Sequence, residues 1–273
     1  MTPPGVPKSV RLQCSLAAAI ADPASLVAPD LQGLPPWGPD RLGPFRDGPQ
    51  GRFLASALAT DLGLHDLSGG DTLAVGLRTR EDVRLALQIS IAPAADLRTG
   101  VRQLAAATFR KTIGNAVRKA DRLMLSEFIG EEALLTATRQ AETFWPSLSV
   151  FDTLDPALLE RPAEPAQPDG EPSARDARAG STPWSRPVLS GEIAALPAIL
   201  RQTWGILHAC VDATDKTSGA MLRARFGAGL ADLLPAGGLR GPAAAARSIP
   251  APQCAVIFNL LQRKVPAWST SID

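Results

Sequence analysis

The sequence predicts a mostly α-helical chain: a bundle-like core with an irregular Pro-rich N-terminal arm and linkers. Three observations carry this prediction. Apolar residues recur at three-and-four spacing over long stretches, the period of a helix with one buried face. Strict alternation, the mark of a half-buried strand, is confined to one short segment. The 25 Pro and 23 Gly cluster between the periodic stretches, where they break regular structure.

Residues 1–50 form the arm. The run Gly33-Leu-Pro-Pro-Trp-Gly-Pro-Asp40 cannot be a regular helix, because Pro fixes φ and lacks the N–H donor. Trp37 in this run is expected to pin the arm onto the core. The first part of the core spans 51–151. Over 51–66, Phe53, Leu54, Ala57, Leu58 and Leu62 follow helical spacing. In 80–91, Val83, Leu85, Leu87, Ile89 and Ile91 alternate as a strand would, but a helix ended by Pro93 fits as well and is preferred. The clearest element is 95–129. It reads as one long helix with a weak point at Gly114, since an interior Gly costs ~1 kcal/mol relative to Ala. A helix over 131–144 follows, with Leu134, Leu135, Thr138, Ala141 and Trp145 as its apolar face and Pro146 as its stop.

Residues 152–190 hold seven prolines among mixed charges. Such a composition buries too little apolar surface to offset its ordering entropy, so this stretch reads as a linker or exposed loop. The second part of the core spans 191–234, with helices over 191–213 and 215–234. In the first, Ile193, Leu196, Ile199, Leu200, Thr203, Trp204, Leu207 and Val211 face one side. Residues 235–273 read as a low-complexity tail carrying one short apolar segment, 253–264, helix or strand. The core is expected where the helices of 51–146 meet those of 191–234, in two layers.

Composition narrows the function. The 273 residues, 45% hydrophobic and 20% charged, are ordinary for a soluble globular protein of one large or two small domains. Lys+Arg 28 against Asp+Glu 27 gives a net charge of +1, without the basic excess of an electrostatic nucleic-acid binder. Cys14, Cys210 and Cys254 are odd in number and widely spaced, which suits free thiols in a reducing cytosol. The patch Leu16–Ala21 is too short for a signal peptide. No segment approaches the ~20 apolar residues of a membrane span. The expected location is cytoplasmic.

Chemistry-bearing motifs are few. The two histidines are His65 and His208, and no nucleophile elbow, Walker A, zinc-protease or dinucleotide fingerprint is present. His208, Cys210 and Asp212 are the one grouping that resembles a site. Residues i and i+2 of a helix diverge, however, so a half-buried structural His is the expected reading. Asp212 and Asp215 read as a solvated helix end. Arg223 and Arg225 read as braces to carboxylates of neighbouring elements. No catalytic, cofactor-binding or metal-binding residue is assigned. Basic residues concentrate on the 95–129 helix. Arg110, Lys111, Arg118 and Arg122 are the candidate partner-binding residues, a docking face for an acidic protein or for anionic lipid.

A family pattern runs through these segments. Leu104–Pro146 combines an apolar helix, the basic pair Arg110-Lys111, a leucine-rich stretch, the acidic turn Gly130-Glu-Glu132 and the ending Trp145-Pro146. Val10–Trp37 is an apolar, Cys- and Pro-containing start that runs into a tryptophan. Leu196–Leu234 is a helix pair with the run LRARF and the step Leu234-Pro235. Together they resemble the SctK/YscK family of cytoplasmic sorting-platform proteins of bacterial type III secretion systems. The resemblance implies a non-enzymatic adaptor, peripheral at the inner membrane through its partners. Those partners would be the cytoplasmic domain of the inner-membrane ring and the pod protein of the platform, with no nucleic acid, cofactor or small-molecule substrate. Two other readings stand beside it: a helical interaction or regulatory module of another pathway, and an enzyme with an unmotifed site near His208, Cys210 and Asp212.

Overall fold

A computed structural model describes residue 14 and residues 80–114, 119–153, 196–225 and 248–269. The expectations for Trp37, the 51–66 helix, the middle of the 152–190 linker, Arg118 and the 226–247 stretch lie outside these residues. Every regular element among the described residues is helical, so the mostly α prediction holds.

The 80–91 ambiguity resolves as helix α1, Glu81–Ser90. Glu81 and Asp82 occupy its first turn, where carboxylates favour the helix dipole. Pro93 then stands immediately before α2, Ala94–Thr108, a position at which a missing N–H costs nothing. Among the described residues, the span 95–129 expected as one long helix holds α2, α3 (Arg110–Gly114) and α4 (Lys119–Ile129); residues 115–118 lie outside them. One break falls at Phe109. Phe109 leaves the helical region, with φ −100 and ψ 35, and its ring is fully buried. Burial of that ring outweighs the loss of helix continuity, because a buried Phe contributes ~1.5–3 kcal/mol. Gly114 is the last residue of α3.

Gly130, at φ 85, turns the chain between α4 and α5, Glu131–Leu135. This left-handed conformation is one that residues with a Cβ disfavour. The next five residues, Thr136–Gln140, form a π-helical segment that runs into α6, Ala141–Phe144. Pro146 starts the 3-10 turn Pro146–Phe151. The second part of the chain supplies α7, Leu196–Thr214, and α8, Lys216–Ala224. Asp215 caps α8: its carboxylate accepts from the Ser218 N–H at 2.7 Å. The aspartate read as a solvated helix end is thus a helix cap.

The core is built on α2 and α7, which pack on each other and on most other elements. α7 is buried almost all round, from Leu196 to Val211. α2 presents the run Ala105-Ala106-Ala107, each without exposure, so that neighbouring helices approach closely. Residues 251–264 form α9, and Pro266–Trp268 a final 3-10 turn. Far from trailing as a tail, this segment fills the core with Ile257, Leu260, Leu261, Val265 and Trp268. Its Pro250 and Pro252 do not mark a linker. They sit at the α9 N-terminus, where their fixed φ suits the first turn.

Candidate docking site

The four candidate partner-binding residues part company in the structure. Arg110 faces inward: its side chain is 14% exposed, and Nη2 lies 3.8 Å from a carboxylate oxygen of Glu142. Lys111 is exposed, and its backbone N–H donates to Asp152 Oδ2 at 3.0 Å. The Thr112 hydroxyl donates to Asp152 Oδ1 at 3.2 Å. Phe109, at the N-terminus of α3, has no side-chain acceptor. Asp152, 41 residues beyond Lys111, caps the helix in its place. Arg118 lies outside the described residues. Arg122 is exposed on α4 and borders a groove.

That groove has a volume of about 650 Å³ and runs between α4 and the α5–π segment, with the end of α3 closing one side. Ile113, Leu123, Leu134 and Leu135 supply its apolar surface, and Arg122, Arg139 and Glu131 its charges. Leu123 is 56% and Leu135 45% exposed, which makes them two of the largest uncovered apolar side chains among the described residues. The two hydroxyls that line it are turned back onto their own helices. Ser126 Oγ donates to the Leu123 carbonyl at 2.8 Å and Thr138 Oγ1 to the Leu134 carbonyl at 2.9 Å.

Leu135 and Thr138 were expected on the buried face of the 131–144 helix; both are exposed. The buried face is made of small residues instead: Ala133, Thr136, Ala137 and Ala141. These fit against the alanine run of α2, and the Thr136 hydroxyl donates to Gln103 Oε1 of α2 at 2.8 Å. Close backbone packing takes the small residues inside and leaves leucine outside. The spacing of Ala133, Ala137 and Ala141 every fourth residue carries this signal; counting only large apolar residues misses it. The π segment holds Thr138 and Arg139, both on the groove wall. Such wide turns often occur at functional positions.

The His208, Cys210 and Asp212 grouping does not converge. Cys210 is fully buried and its Sγ–H points to the Cys254 carbonyl of α9 at 3.8 Å. The hydrogen bond with the Cys254 thiol, followed by burial, pushes the Cys210 thiol up from its ordinary value. Asp212 pairs with Lys216 one turn along. His208 is half-buried, and burial pushes its imidazole below the usual histidine value, against the opposing pull of Asp212. No three His, Cys, Asp or Glu side chains gather to hold a metal ion among the described residues.

Arg225 braces the fold by a different route from the one the sequence suggests. Its Nη1 donates to the Ser90 carbonyl at 3.0 Å, a backbone group at the C-terminal end of α1. The Ser90 hydroxyl in turn donates to the Ser218 carbonyl of α8 at 2.7 Å. α1 has no basic residue in its own last turn, so Arg225 supplies the cation that this end favours. Burial lowers its guanidinium to about 10. No helix among the described residues is long and apolar enough to cross a membrane. Comparison with family models, curated proteins and solved structures finds no match to the chain.

Proposed function

We propose that this chain is a non-enzymatic adaptor of a bacterial type III secretion system, cytoplasmic and peripheral at the inner membrane. It would link the inner-membrane ring to the pod protein of the sorting platform. The observation that carries the docking part of this reading is the groove beside α4. It exposes Leu123 and Leu135 next to Arg122 and Arg139. Exposed leucines bordered by guanidinium groups are the composition of a protein-recognition patch, an apolar centre with a polar rim. The secretion pathway itself rests on the resemblance of Leu104–Pro146 and Leu196–Leu234 to the SctK/YscK family.

The test is an affinity pull-down of the full chain from its native cells while the secretion apparatus is expressed, with recovered proteins identified by mass. Recovery of an inner-ring component or the pod protein, lost with Leu123→Glu, supports the adaptor. Recovery of neither in cells that assemble the apparatus would overturn the pathway.

A further inference from the structure

We infer that Cys210 and Cys254 form a peroxide-driven thiol–disulfide switch that staples α9 to α7. The switch is independent of the docking reading above. Three observations carry it.

The first is placement. Cys210 stands near the end of α7, and Cys254, 44 residues further on, is the fourth residue of α9. Both thiols are free and buried, and they meet where the two helices pack. The Cys210 Sγ–H points to the Cys254 carbonyl at 3.8 Å, and the two thiols share a hydrogen bond. A disulfide needs its Cα atoms within ~7 Å. Sulfur atoms already in contact close that bond by side-chain rotation. The second is asymmetry. Cys254 is 6% exposed and Cys210 not at all, so a small oxidant meets Cys254 first. The bond from Cys210 holds the Cys254 thiol below its ordinary value, and the first turn of a helix favours the same thiolate. That bond and burial keep Cys210 protonated. Cys254 is thus the nucleophile and Cys210 its resolving thiol, a pairing that redox sensors use. The third is what the bridge would hold. A link at the first turn of α9 fixes the segment that supplies Ile257, Leu260, Leu261 and Trp268 to the core.

The oxidant is a hydroperoxide. The Cys254 thiolate attacks one peroxide oxygen. An S–O bond forms, the O–O bond breaks, and the departing oxyanion takes up the proton that Cys254 released. The Cys210 sulfur then attacks the Cys254 sulfenic acid. The S–S bond forms, the S–O bond breaks, and the hydroxyl leaves with the Cys210 proton as water. The two thiols lose two electrons and the peroxide gains them. A dithiol reductant reverses the bridge by exchange.

The experiment treats the full chain carrying Cys14→Ser with hydrogen peroxide, so that only the interior pair is read. Hydrogen peroxide is scarcely larger than water and reaches a seat closed to bulkier thiol reagents. The thiol count in denaturant should fall from two to none, and the intact mass by two hydrogens. Peptide mapping should link Cys210 to Cys254, and dithiothreitol should restore both thiols. The oxidised form should melt roughly 5–10 °C higher, because the bridge closes a 44-residue loop in the unfolded chain. With Cys210→Ala added, dimedone should trap a sulfenic acid on Cys254; with Cys254→Ala instead, Cys210 should give no adduct. The bridging measurement uses both native thiols, so it stands even where an interior variant loses its fold. Interior thiols unchanged by peroxide that fully oxidises Cys14 in the unsubstituted chain would overturn the switch. So would bridging only in denaturant, or between chains. A dimedone adduct on Cys210 would overturn the assigned roles.

Discussion

Gly100 of α2 lies directly beneath the indole of Trp268: a Cβ built at Gly100 would stand 2.5 Å from Cζ3 and 2.6 Å from Cη2. Trp268 is 1% exposed, and its fused rings cannot bend out of the way. Helix propensity alone favours Ala over Gly at this interior position by about 1 kcal/mol. Overpacking a closed site costs ~1–3 kcal/mol and acts the other way. Gly100→Ala should therefore destabilise the chain, lowering the urea midpoint. The double variant Gly100→Ala with Trp268→Leu should recover part of the helix gain against Trp268→Leu alone. A raised midpoint for Gly100→Ala in the wild-type background would disprove the contact.

The same pair shows where the sequence is legible and where it is not. Periodicity identifies α2, α7 and α8 because each buries large apolar residues at helical spacing against the core, whereas the apolar residues of α1 alternate and leave helix and strand both open. It also places Trp204 and Leu207 inward, as observed. It does not show that residues 251–268 belong to the core. The prolines at 250 and 252 look like linker composition, and only the three-dimensional seat of Trp268 on Gly100 reveals them as a helix start. Phe109 defeats the long-helix reading for a related reason: the break is set by a tertiary pocket, which leaves no mark in local spacing. For the groove, Arg122 is legible as a charge on a basic helix. Leu123, Leu135 and Arg139 are not, because a leucine outside and an alanine inside reverse the usual hydrophobicity order.

Asp152 makes a second long-range contact whose removal is measurable. It caps a five-residue helix, too short to persist without tertiary support. Asp152→Ala removes the acceptor for both the Lys111 N–H and the Thr112 hydroxyl. The expected loss is about 1 kcal/mol of stability, the usual worth of a helix cap. Asp152→Asn keeps one oxygen acceptor and should lose less. Amide hydrogen exchange at Lys111 is the local readout, and it should accelerate in the Ala variant before any global change.

Thiol reactivity reports the packing of α7 on α9. Cys14 is exposed, whereas Cys210 and Cys254 are buried. The Cys210 thiol is further held in its protonated form by its hydrogen bond and by burial. Reaction with a thiolate-selective reagent needs both access and ionisation. The native chain should therefore react quickly at one thiol, and in denaturant at all three. Cys14→Ser should remove the fast phase. A fast phase that survives Cys14→Ser would place one of the two interior thiols at the surface.

His208 gives the chain a pH dependence with a defined sign. Burial holds its folded value below the ordinary 6.5, and the neighbouring charges act in both directions: Asp212 raises it, while Arg223 and Lys216 lower it. As pH falls below about 6.5, the unfolded chain takes up the proton first, so stability falls with pH. The loss continues until pH drops under the folded value and then levels off. Asp82 behaves alike in a separate window. Its hydrogen bond from Arg80 lowers its folded value below 3.8, so that its contribution is lost only as pH falls through that lower range. Urea midpoints measured from pH 7.5 to 3 should decline for the wild type. In His208→Leu the decline between about pH 6.5 and 5 should shrink while any loss below pH 4 remains. An unchanged slope between pH 6.5 and 5 would mean that His208 is solvated on the folded chain, and the seat of α8 against α7 would need revision.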